Sequence, residues 1–145
     1  MTATEYVVDV LGGRRVFRGQ ELPTSSQMRD RIKEGLPFSS LESVRERLRL
    51  SVPEAASVLQ MPARTLARRR SSRKLAADES DRLYRLARIA AQAFGVFGTE
   101  DKASTWLRRP NRALNNELPI RLLDTDVGTR QVEDILGRIE HGVVS

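Results

Sequence analysis

Apolar positions recur at helical spacing along most of the chain. Between Ala77 and Phe97, the residues Leu83, Leu86, Ala87, Ala90 and Phe94 share one face, which predicts a long amphipathic helix closed by Gly98. Leu41, Val44 and Leu48 form a second stripe, with Arg45, Glu46, Arg47 and Arg49 outside it. Met28 and Ile32 stand one turn apart before a stop at Gly35, and Val132, Ile135, Leu136 and Ile139 line the last helix. Val7, Val8, Val10 and Leu11 fit a short helix ending at Gly12, and with Arg14 to Phe17 they also fit a hairpin around Gly12-Gly13; the helix is preferred. After residue 20 no alternating strand pattern occurs, so the chain reads as all-α.

Start and stop signals divide this helical pattern. Thr24 with Gln27, Ser39 with Glu42, and Ser51 with Glu54 have the spacing of capping boxes. Pro53 falls in a first turn, where its missing N–H costs nothing. A short helix is expected from Val52 to about Leu59, and another from Pro62. Thr99 opens a helix carrying Ala103, Trp106 and Leu107, which Pro110 stops. Asn111 caps a turn reaching Leu114, Asn115-Asn116 reads as a loop that tolerates positive φ, Pro119 starts a short helix, and Thr125 caps the last one. Trp106 is read as a core residue first.

Composition narrows the chemistry. The 145 residues include no cysteine and one histidine, His141, so no disulfide framework, thiolate metal site or multi-histidine site is expected, and no cofactor. No signal peptide and no apolar run of bilayer length is seen, which predicts a cytoplasmic protein away from membranes. The charge of +6 is unevenly placed: residues 1–40 carry +1, residues 41–75 carry +6, and residues 76–145 carry −1. A basic module inside a neutral chain points to a local polyanion site.

That module ends in Pro62–Lys74, which holds Arg64, Arg68, Arg69, Arg70, Arg73 and Lys74 with no acidic residue. By itself such a run is a solvated face. The residues before it supply a helix-turn-helix spacing: Ala56 where the two helices cross, Gln60 at the turn, and Leu66 as the apolar anchor of the second helix. The second helix then presents Arg64, Thr65, Arg68 and Arg69 outward, with Arg70, Arg73 and Lys74 beyond, and these are the candidate DNA contacts. Arginine suits the role because its planar fork pairs with guanine or clamps phosphate. Gln60 stands where glycine is favoured, since the turn residue needs φ > 0. Catalytic readings lack support: Gly12-Gly13 is an isolated pair, no nucleophile elbow is present, and His141 sits at a helix end. The chain is not expected to be an enzyme.

Trp106-Leu107, Pro110-Asn111, Ala113-Leu114, Pro119, Leu122-Leu123, Thr125, Gly128, Val132, Leu136, Ile139 and His141-Gly142 match the toxin-binding pattern of the Xre/MbcA/ParS-like antitoxins, which the chain resembles. Upstream, Gly35-Leu36-Pro37, Arg64-Thr65-Leu66, Arg68 to Arg70 and Glu79 to Leu83 also look like that family. The chain departs from it at Asn115-Asn116, where a glycine pair is usual, and at Gln60. The resemblance implies a helical bundle: an Xre-like helix-turn-helix domain followed by a small helical toxin-binding domain. It implies the antitoxin of a type II pair whose toxin is a RES-type, NAD-consuming enzyme. It also implies a homodimer that joins higher toxin–antitoxin complexes and represses its own operon through operator DNA.

In the last helix Arg130, Asp134 and Arg138 fall at four-residue spacing opposite the apolar stripe. With Asn111, Arg112, Asn115, Asn116 and His141 they are the candidate toxin contacts. The expected organisation is an N-terminal helical and dimerisation segment (1–37), a helix-turn-helix domain (38–98) and a toxin-binding domain (99–145). Two other readings stay open: an interaction module that has lost DNA binding, and a stand-alone transcriptional regulator.

Overall fold

In the computed structural model, which describes residues 1–20 and 22–142, the longest element is the helix the apolar periodicity predicts, and the others pack around it. The helices are α1 (Ala3–Val10), α2 (Ser25–Glu34), α3 (Phe38–Leu48), α4 (Val52–Val58), α5 (Ala63–Ser72), α6 (Ala77–Phe97), α7 (Glu100–Leu107) and α8 (Asp126–Glu140). Three 3-10 turns, Gly13–Arg15, Arg112–Leu114 and Pro119–Asp124, complete the set. Among the described residues the only β-type pairings are isolated bridges, Pro37 with Lys74 and Asn111 with Glu117. α6 contacts α1, α2, α7 and α8, so its 21 residues form the spine of one continuous apolar cluster running from Tyr6 to Leu136.

Local chemistry sets most boundaries as expected. Thr2, Thr24 and Ser51 each cap a helix in a reciprocal box, and Thr99 and Thr125 accept the N–H three residues on. Gly98 closes α6 at φ 86°. The ambiguous N-terminal stretch is helical, and Tyr6, Val7, Val8 and Val10 bury its inner face.

Two expectations are corrected. Ser39 caps nothing: α3 starts at Phe38 behind Pro37, and the Phe38 N–H donates to the Arg73 carbonyl at 3.0 Å. That tertiary bond pairs the N–H of the first helical residue, a helix-start donor with no partner inside the helix. Ile139 is not inward, being 41% exposed, because α8 runs a turn beyond the core cluster, whose last member is Leu136.

The N-terminal helix is tied to both later parts of the chain. The Tyr6 ring stacks on Phe94 with centroids 4.8 Å apart, and its hydroxyl donates to Glu100 Oε2 at 2.7 Å. Arg47 of α3 donates to the same oxygen at 2.7 Å and pairs with Asp9 at 3.0 Å. One carboxylate therefore joins α1, α3 and α7. Burial, together with the bond to Glu100, holds the Tyr6 hydroxyl well above its ordinary pKa of 10.0.

Candidate functional site

α4 and α5 form the helix-turn-helix, and the turn has the geometry its spacing requires. Gln60 lies at φ 53°, in the left-handed region, while the Met61 N–H donates to the Ala56 carbonyl at 2.8 Å. Ala55, Val58, Leu59, Met61 and Leu66 are buried and clamp the two helices together. The turn is also held from outside. Arg82 of α6 donates to the Leu59 carbonyl at 3.2 Å, and the Gln60 side-chain amide donates to the carbonyl of Asp124 at the end of the 119–124 turn. A glycine would fit the backbone better but could not make that second bond.

Leu66 is the one buried residue of α5, so the rest of the helix faces outward. Arg64, Arg68, Arg70, Arg73 and Lys74 are exposed, and none of them forms an ion pair among the described residues. Thr65 is half-buried on the same helix, and the Arg70 guanidinium lies 5.6 Å above the Phe38 ring. Arg69 differs from these. Its Nε donates to Glu79 Oε1 at 2.8 Å, and this bond raises its pKa and keeps it charged against a carboxylate only 7% exposed.

Sequence spacing gave no role to the residues that orient this helix. Glu79 Oε1 also accepts the Ala76 N–H, and the buried Ser80 hydroxyl accepts the Leu36 N–H at 2.8 Å. Leu83 is fully buried, so the Glu79–Leu83 motif is a set of anchors, with Arg82 reaching the turn. The Gly35–Pro37 motif has a matching cause. At Gly35, with φ 97°, a Cβ would sit 2.3 Å from the Leu75 carbonyl oxygen, and only glycine lets the 35–38 strip lie against residues 73–75. That strip fixes the C-terminal end of α5.

The second candidate surface lies on the C-terminal block. Asn115 and Asn116 take φ of 56° and 64°, the left-handed values that a glycine pair would supply. Asn111 closes the loop by bonding Glu117 and Asn116 through its backbone and Ala113 through its side chain, while Arg112, Asn115 and Asn116 face solvent. On α8, Arg130, Asp134, Arg138 and His141 are exposed, and Arg130 pairs with Asp126 at 3.0 Å. Among the described residues, no hydrogen bond or ion pair joins the Asn111 loop to this ridge. Val127, 72% exposed, adds an apolar side chain to α8 that sequence patterning did not single out. Beneath the ridge, a Cβ on Gly128 would lie 2.0 Å from the Leu122 carbonyl oxygen, which accounts for glycine in that motif.

No helix is long and apolar enough to cross a membrane, and no cluster suited to a metal ion occurs, both statements being made of the described residues. The antitoxin Xre-like helix-turn-helix family matches residues 27–88, and the antitoxin Xre/MbcA/ParS C-terminal toxin-binding domain matches residues 92–142. A protein named Antitoxin Xre from Photorhabdus laumondii is 35% identical over 116 residues, covering 79% of this chain and 78% of its own length. One of the same name from Yersinia enterocolitica is 35% identical over 138 residues, covering 91% and 92%. Another from Pseudomonas putida is 37% identical over 123 residues, covering 84% and 76%. Glutamine and asparagine hold the left-handed positions where glycines are usual, so neither departure takes the chain out of the fold, and it belongs to the Xre family of toxin–antitoxin antitoxins.

Proposed function

We propose that this antitoxin blocks a RES-type, NAD-consuming toxin through the exposed ridge of α8 and the Asn111–Asn116 loop. In this reading it also represses its own operon by placing α5 against operator DNA. It works as a dimer in the cytoplasm, joins larger toxin–antitoxin complexes, and has no catalytic role of its own. The observation that carries the DNA half is the set of exposed α5 cations, Arg64, Arg68, Arg70, Arg73 and Lys74, which have no carboxylate partner among the described residues. Thr65 is positioned beside them, and Arg69 steadies the helix through Glu79 instead of reaching for phosphate. Five phosphate contacts give a log K against log salt slope of about −4.5, at roughly 0.9 per contact.

The toxin half needs a test that leaves the fold intact. Removing residues 126–145 would delete Val132 and Leu136, both fully buried, so loss of function would follow from unfolding alone. Exposed substitutions avoid this. Co-expression of the toxin with Asp134→Arg/Arg138→Glu should fail to restore growth and cellular NAD, while Arg64→Ala/Arg68→Ala should restore both and lose operator binding by fluorescence anisotropy. Rescue by the α8 variant, or unchanged operator affinity in the α5 variant, would refute the corresponding half.

A further inference from the structure

α2 and α6 leave an open groove of about 440 Å³ between them that neither proposed interface uses. Its floor is apolar, made by Met28, Ile32 and Tyr84. One lip is basic, with Arg29 and Lys33 on α2, and the other is acidic, with Asp78 and Asp81 on α6. Arg29 and Lys33 are exposed and have no ion-pair partner among the described residues. Asp78 and Asp81 are 66% and 58% exposed, and among the described residues their only bridges are long contacts of 3.5 and 3.4 Å to Arg82 and Arg85 on their own helix. The two lips face each other across the groove without pairing.

We propose that this groove is the face on which a second copy of the chain docks, with the two-fold axis running along it. The inference deepens the dimeric reading above by assigning it a surface. A two-fold axis in the interface plane exchanges left for right and keeps height, so each basic lip meets the partner's acidic lip. The heights match. α2 ends beside the start of α6, where the Leu36 N–H bonds Ser80 and Gly35 touches the Leu75 backbone, so the two helices run antiparallel. Lys33 is therefore level with Asp78, and Arg29 with Asp81. Docking forms a four-helix arrangement over a shared floor of Met28, Ile32 and Tyr84, with two charge pairs on each flank. The groove also adjoins the C-terminal end of α5 through the 35–38 strip, so the same axis sets two basic helices about one dyad, as a palindromic operator requires.

Light scattering on the full chain, alone and at micromolar concentration, tests this. The wild type should have twice the 16.3 kDa chain mass. Arg29→Glu/Lys33→Glu and Asp78→Arg/Asp81→Arg should each weaken dimerisation on the order of 100-fold, because like charges then face each other. Mixing the two variants should restore a dimer, since both flanks of the heterodimer are complementary, and this recovery excludes misfolding as the cause. A monomeric wild type would overturn the dimeric reading itself. A dimer indifferent to both reversals would overturn only this surface. Hydrogen exchange at residues 25–34 and 77–84 that slows only when toxin is added would give the groove to the toxin and overturn the proposal as well.

Discussion

Replacing Gln60 by glycine and by alanine separates the backbone and side-chain parts of its role. Its φ of 53° costs an L-residue about 1 kcal/mol relative to glycine. Its side chain donates to the Asp124 carbonyl at an exposed site, where a hydrogen bond contributes about 0.5–1 kcal/mol net. Gln60→Ala keeps the strained backbone and loses the bond, so it should destabilise by about 0.5–1 kcal/mol. Gln60→Gly loses the same bond but relieves the strain, so its stability should lie within about 0.5 kcal/mol of wild type. The gap between the variants, about 1 kcal/mol, corresponds to roughly 2–4 °C in Tm for a chain of this size. Thermal denaturation followed by circular dichroism reads it directly. A glycine variant melting below the alanine variant would refute the strain argument, and an alanine variant melting with wild type would refute the bond's contribution.

Other consequences follow from single contacts. Gly128→Ala should cost about 3 kcal/mol or more, measured by urea denaturation, because the new Cβ meets the Leu122 backbone carbonyl and not a side chain that could move aside. Glu100→Gln should destabilise by about 1–2 kcal/mol, because Tyr6 and Arg47 lose their shared carboxylate; a Tm equal to wild type would refute that junction. Tyr6 also sets an alkaline limit. Its pKa is raised by folding, so its contribution is complete below the unfolded value of 10.0 and is lost as pH climbs above it through the folded value. Tyr6→Phe should therefore flatten the fall in stability above pH 10.0 measured by denaturant titration, and an unchanged slope would refute the linkage.

Legibility followed the range of the interactions involved. The α6 face was readable because periodicity is a local property, and the caps at Thr24, Ser51, Thr99 and Thr125 were readable because donor and acceptor lie three residues apart. Asn115 and Asn116 take the left-handed backbone that their residue type tolerates. Ser39 fails as a cap because α3 starts one residue earlier, where the Phe38 N–H bonds the Arg73 carbonyl, a partner far away in sequence. Arg69 could not be told from Arg68 by spacing, yet Glu79 engages only the first.

Residue order alone carries the helical pattern, the helix-turn-helix spacing, the concentration of positive charge in one segment, and the residues by which the chain resembles its family. Each depends on neighbours a few residues apart. How those parts are joined comes from contacts made on folding. Glu100 binds α1 and α3 from across the chain, Glu79 fixes α5 from α6, and Gln60 reaches the C-terminal block from the helix-turn-helix turn. These joints pair groups ten to ninety-four residues apart, and no local pattern encodes them. Which arginines of α5 pair with a carboxylate among the described residues was set there too, because that depends on where the fold places the acids.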